Sequence, residues 1–196
     1  LRSLGAELIL TSPLEGTDGA QIVAKEIYAA NPEKYFYADQ YSNDANWQAH
    51  YLTTAEEIWA QTSGHITHFV AGLGTTGTFV GTGRRLRELG NVQLISLQPD
   101  HPFHPLEGWK HLATAHRPGI YDDTLADKTL VIDSTRVFDM IRSISIHERL
   151  FISPSGAANL LGALAVASQI TEGDIVTTLA DTLDRYQEVR KEIFGT

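Results

Sequence analysis

The chain has 196 residues and a net charge of −9, from 15 Lys and Arg against 24 Asp and Glu, so it lacks the basic face that nucleic acid or an anionic membrane surface requires. It contains no Cys, which excludes a disulfide framework, a thiolate nucleophile and a cysteine metal site, and fits a cytoplasmic protein. No apolar run approaches the roughly 18 residues of a membrane span and no charged-then-apolar leader is visible; the length allows one good core, or one domain and part of another.

Taken in order, Leu1-Arg-Ser-Leu-Gly5 reads as the last turn of a helix and its glycine stop, as if an N-terminal portion preceded it. Residues 7–11 read as a short strand, 20–29 as a helix that Asn31-Pro32 ends, and 35–37 as a second short strand. The polar loop 39–44 leads into a helix over 46–61. A strand at 67–72, a helix at 78–89 and a strand at 92–97 make one βαβ unit. From 99 to 126 prolines, histidines and glycines interrupt any period, so this is an irregular loop with short helical turns, of a length that usually serves function. A strand at 130–133, a helix over 134–148, an Ala-rich helix from Ser155, a strand at 174–180 and a helix from Thr182 complete the chain. The alternation indicates an α/β fold with a twisted, mostly parallel sheet flanked by helices.

The most informative segment is Gly72-Leu-Gly74-Thr75-Thr76-Gly77-Thr78, a Gly/Thr loop between a buried strand and a helix. The glycines let the backbone approach a ligand closely, and the first amides of the helix point outward at the positive end of its dipole, which makes an anion cradle. Thr75, Thr76 and Thr78 add hydroxyls that a loop needing only to bend would not require. The loop also fits the dinucleotide pattern G-x-G-x-x-G, but the following strand runs into Gln98-Pro99, with no acid at its tip for a ribose. No Lys follows the glycines as in a P-loop.

Around this loop stand further motifs in fixed order: Gly5-Ala-Glu-Leu-Ile-Leu-Thr11, Gln40-Tyr-Ser-Asn-Asp-Ala-Asn46, His50-Tyr-Leu-Thr-Thr54 running on to Ile58-Trp59, Leu106-Glu-Gly108, and Ser153-Pro-Ser-Gly-Ala-Ala158. Together they resemble the pyridoxal-phosphate-dependent cysteine synthase family, which includes O-acetylserine sulfhydrylase and has cystathionine β-synthase as a relative, and the resemblance covers nearly all of the chain. It implies the pyridoxal-phosphate fold type II, N-terminally incomplete, with residues 1–40 a remnant of the smaller domain and 41–196 the larger cofactor-binding domain. It implies β-replacement on an O-activated serine, O-acetylserine or O-phosphoserine, with a sulfur donor and pyridoxal 5'-phosphate as cofactor, in an enzyme that is a homodimer when complete.

Position by position, the resemblance assigns the cofactor phosphate to Gly74, Thr75, Thr76, Gly77 and Thr78. Thr76 stands where many relatives have Gly, and a branched residue there calls for a negative φ. Ser155 matches the serine facing the pyridine nitrogen, where a neutral hydroxyl suits β-elimination and replacement; it also suits the N-cap of its helix. Gln40 matches a residue that helps bind the substrate carboxylate, and Gly108 one that lines the substrate entrance. Lys110, two residues on, is a substrate contact or a plain surface lysine. The Schiff-base lysine has no counterpart: Lys25, Lys34, Lys128 and Lys191 lie in turns, on a helix or at a strand start, so the catalytic lysine is expected before Leu1 and the chain alone is expected to be inactive. No His or acidic spacing supports a metal site. Asp181, after the last strand, is either near the pyridine edge or a helix cap. The alternatives are a non-catalytic or split pyridoxal-phosphate-binding subunit and, behind it, a nicotinamide-dependent oxidoreductase, which Gln98 disfavours.

Overall fold

The computed structural model describes residues 1–195 and divides into two compact units, 1–39 and 40–196. The first carries a short 3-10 turn at Arg2–Leu4, which Gly5 ends in the left-handed conformation, and one helix, α1, Gly16–Ala30. Residues 7–11 and 35–37, expected as strands, are not in a sheet. Their apolar, aromatic composition suits a ladder, but no neighbouring strand pairs with them among the described residues, and Ile9, Leu10 and Phe36 are exposed. A strand exists only through its partner's hydrogen bonds.

The second unit is built on four parallel strands: β1 (Ile66–Gly72), β2 (Gln93–Pro99), β3 (Lys128–Ile132) and β4 (Asp174–Thr177), in the order β3-β2-β1-β4. The central register sets Phe69 beside Leu94 and Val176, and Gly72 beside Leu97. Alternation along β1 and β2 sends Phe69, Ala71 and Leu94 to one face and Val70, Ile95 and Leu97 to the other, and both faces are buried, as an all-parallel sheet requires.

On the first face lie α3 (Ala55–Gln61) and α4 (Gly77–Leu89), which bury Ala55, Ile58, Phe79 and Leu86 against the sheet. Before α3 the chain runs without a break through α2 (Ala45–Ala49) and a π-helical turn (His50–Thr54), where the Ala55 amide reaches back to the His50 carbonyl. The expected single helix over 46–61 is thus continuous but wound unevenly. On the second face lie α5 (Val137–His147), α6 (Pro154–Ala167) and α7 (Gln187–Phe194), preceded by a 3-10 turn at Leu183–Arg185. The bare Gly162 of α6 sits flush on Leu97, whose Cδ1 would lie 2.4 Å from an added Cβ. Among the described residues no helix is long and apolar enough to cross a membrane.

Candidate active site

At the carboxyl end of β1, where ligands bind in open parallel sheets, the chain leaves the sheet through Leu73 to Thr76 and enters α4. The Leu73 amide still donates to the Leu97 carbonyl at 3.2 Å. Beyond it the amides of Gly74, Thr75, Thr76, Thr78 and Phe79 have no acceptor within the protein among the described residues, and that of Gly77 has only a long 3.4 Å contact to Thr75 Oγ1. No acidic side chain occupies the first turn of α4, so the positive end of its dipole is uncompensated. This is a row of donors awaiting an acceptor.

Two glycines of this loop owe their identity to crowding. A Cβ on Gly74 would lie 2.0 Å from the Gly108 carbonyl oxygen, and one on Gly77 would lie 1.8 Å from Asn46 Oδ1. The turn itself falls on Thr76, with φ 76° and ψ −6°. The expected negative φ is therefore wrong: with its neighbours held against Gly108 and Asn46, the loop places its left-handed residue at the branched position. Thr76 is buried, makes no side-chain cap bond to α4, and its Oγ1 is buried with no partner among the described residues.

Gly108 and Lys110 reach the same place through the irregular segment. The Lys110 amide donates to the Leu73 carbonyl at 2.8 Å, Gly108 turns with φ 88°, and Trp109 covers Gly72. Lys110 is not a surface lysine. It is 6% exposed, with Nζ 5.0 Å from the Tyr41 ring centroid. Gln98, the residue at the strand tip, accepts the Leu112 amide at 3.3 Å and so anchors this segment.

Gln40 is exposed and joins the loop through its backbone: Asn46 Nδ2 donates to the Gln40 carbonyl at 2.5 Å and to Thr75 Oγ1 at 3.1 Å. Ser155 is not the cap of its helix. Ser153 is, accepting the Gly156 amide at 3.1 Å, with Pro154 in the first turn. Ser155, partly buried in the first turn, exchanges a hydrogen bond with Ser153 Oγ at 3.1 Å. Asp181 accepts the Thr182 amide at 2.9 Å through its side chain.

Two residues of the site were not singled out from the sequence. Asn159, one helical turn after Ser155, is buried; its Oδ1 accepts the Gly72 amide and its Nδ2 donates to the Thr178 carbonyl, both at 2.8 Å. It spans the carboxyl ends of β1 and β4 and satisfies two backbone groups that leave the ladder. Its signal was a lone polar residue in an apolar run. His50 lies under the start of α4, with Nε2 3.1 Å from Thr78 Oγ1 and Nδ1 2.9 Å from Thr54 Oγ1, and burial lowers its pKa from the ordinary histidine value.

The free amides, the threonine hydroxyls and the uncompensated dipole fit a phosphate monoester, and a partly buried hydroxyl on α6 at the same end of the sheet fits a heteroaromatic nitrogen better than a charge. Comparison with known proteins bears on the same point. A family model described as pyridoxal-phosphate dependent enzyme matches residues 1–181. A cysteine synthase of Aquifex aeolicus is 44% identical over 191 residues, covering 95% of this chain and 58% of the relative. Cysteine synthase B of Escherichia coli is 37% identical over 187 residues, covering 95% and 61%. The crystal structure of an O-acetylserine-dependent cystathionine β-synthase from Helicobacter pylori superposes with a TM-score of 0.87 at 30% identity, covering 95% of this chain and 63% of that one. The chain thus spans about three-fifths of the relatives it matches. Over that span, in sequence and in fold, it belongs to the pyridoxal-phosphate-dependent enzyme family.

Proposed function

We propose that the protein carrying this chain performs cysteine synthase-type β-replacement: it takes an O-activated serine, O-acetylserine or O-phosphoserine, and replaces its leaving group with a sulfur donor. The row of unpaired amides from Gly74 to Thr78 carries this reading, since it calls for a phosphate held at the carboxyl end of the sheet. Bound there, pyridoxal phosphate supplies an electron sink for bond breaking at the amino-acid α-carbon.

The chain's own residues then divide the work. Gly74, Thr75, Thr76, Gly77 and Thr78 hold the phosphate. Ser155 meets the ring nitrogen with a neutral hydroxyl, which leaves the ring a moderate electron sink and favours loss of the β-substituent. Gln40 helps hold the substrate carboxylate, and Gly108 and Lys110 line the approach. Residues 1–40 serve as part of the smaller domain and 41–196 as the cofactor-binding one, in a homodimer.

The test is cysteine formation from sulfide and each ester by the whole protein, with and without pyridoxal phosphate. Cofactor-dependent cysteine production from at least one ester is expected; none from either removes the assignment. Lys110→Ala is expected to weaken O-phosphoserine use selectively, because a dianion needs a nearby cation more than a neutral ester does. Equal losses with the two esters take Lys110 out of the site.

A further inference from the structure

The contacts of His50 go beyond packing. Both its ring nitrogens lie at hydrogen-bond distance from threonine hydroxyls, Thr54 on one side and Thr78 on the other. A neutral imidazole has one donor and one acceptor, so only two arrangements satisfy both contacts. In the first, Nδ1–H donates to Thr54, and Thr78 spends its own proton on Nε2. In the second, Thr54 donates to Nδ1, Nε2–H donates to Thr78, and the Thr78 proton is free to turn to another acceptor.

The surroundings permit the second arrangement. Thr53 and Thr62 spend their hydroxyl protons on backbone carbonyls, at 2.7 Å and 2.9 Å. The hydroxyl of Thr54 has no contact with a carbonyl among the described hydrogen bonds, which leaves its proton for His50. The ring is held in place, because α4 passes flush over this turn at Gly81, where an added Cβ would lie 2.9 Å from His50 Cβ and 2.0 Å from the Trp47 carbonyl oxygen. The π-helical winding of His50–Thr54 sets the ring beneath Thr78, and such turns recur at functional sites.

We propose that His50 is a positioning residue of the anion site: an anion on the Gly74–Thr78 amides selects the Nε2–H tautomer, and the relay from Thr54 through His50 to Thr78 aims the Thr78 hydroxyl proton at that anion. The proposal rests on the cradle reading given above. A hydroxyl donating to a charged phosphate gains more than one donating to a neutral ring, so the anion itself drives the choice.

The experiment titrates inorganic phosphate, and separately pyridoxal 5'-phosphate, into the cofactor-free whole protein, and compares wild type with Thr78→Val, His50→Phe, His50→Gln and the Thr78→Val/His50→Phe double variant. His50→Phe is expected to weaken phosphate binding about tenfold. His50→Gln, whose amide can donate from near the Nε2 position, is expected to restore most of that loss. In the Thr78→Val background His50→Phe should cost nothing further. The ring 15N shifts of His50 should move to the Nε2–H pattern as phosphate is added, a response that a merely structural histidine does not give. If Thr78→Val weakens binding but the His50 shifts do not move, or if the two losses simply add, the relay is refuted while the cradle stands. If neither Thr78→Val nor His50→Phe changes phosphate affinity, the relay falls while the cradle stands; if the wild type binds neither phosphate nor pyridoxal 5'-phosphate, the cradle reading falls and the relay with it.

Discussion

Thr76 offers a direct test of how the loop is built. A branched residue in the left-handed region costs about 1–2 kcal/mol, and a buried hydroxyl without a partner adds about 1–3 kcal/mol. Thr76 carries both features, at φ 76° and with Oγ1 orphaned. Thr76→Gly relieves both, against about 0.8 kcal/mol of lost methyl burial and about 0.5–1 kcal/mol of added chain entropy in the unfolded state. No helix cap is lost, since the side chain makes no cap bond. The net expectation is stabilisation by about 2 kcal/mol, a rise in melting temperature of about 4–8 °C for a domain of this size, measured by calorimetry in phosphate-free buffer. Thr76→Val keeps the backbone strain but removes the orphaned hydroxyl, so it should recover only part of the gain. A glycine variant that melts lower than wild type, or a valine variant that matches it, would refute the reasoning.

Further outcomes are expected. Asn159→Leu strips partners from the Gly72 amide and the Thr178 carbonyl at once and should destabilise by about 2–5 kcal/mol in denaturant titration. Gly74→Ala forces a Cβ to within 2.0 Å of the Gly108 carbonyl; the two loops must part, and phosphate affinity and melting temperature should both fall. His104 accepts the Leu106 amide at 3.1 Å through Nδ1, and burial, followed by the charges of His101 and His111, lowers its pKa. Its contribution to stability is therefore present above the ordinary histidine range and lost as pH falls through the lowered value, so His104→Asn, which can still accept, should flatten that part of the pH–stability curve. Borohydride treatment of the chain with pyridoxal phosphate should leave no pyridoxyl adduct on Lys25, Lys34, Lys110, Lys128 or Lys191, as peptide mass spectrometry would show.

The parts of this fold that were legible in the sequence are those written in local pattern. The Gly/Thr loop, the strand before it and the helix after it follow from residue type and spacing alone. Ser153 and Ser155 are both good caps, so which of them caps is decided by where Pro154 must sit, at the first helical position. The segments at 7–11 and 35–37 have the composition of strands, but composition does not say whether a neighbour offers a ladder. Lys110 lies in a stretch without period, so nothing local announces its burial; the Leu73 carbonyl and the Tyr41 ring that enclose it are 37 and 69 residues away by number. The conformation of Thr76 does not follow from its type, because steric preference is a property of one residue, whereas here Gly74 and Gly77 are pressed against Gly108 and Asn46.

The uneven winding between α2 and α3 sets a limit on how this chain can change. A π-helical turn inserts one residue beyond the ordinary helical count, and one residue is about 100° of rotation. The apolar positions before and after His50–Thr54 therefore belong to two different helical registers, joined by a one-residue phase shift. Deleting a single residue within that turn would yield a more regular helix of better local geometry. It would also swing Ala55 and Ile58 a quarter-turn or more away from the sheet they cover, exchanging a minor local irregularity for the loss of one wall of the core. The irregularity is thus a spacer that length-changing mutations cannot remove cheaply, while substitutions within it remain free to alter what stands beneath the loop.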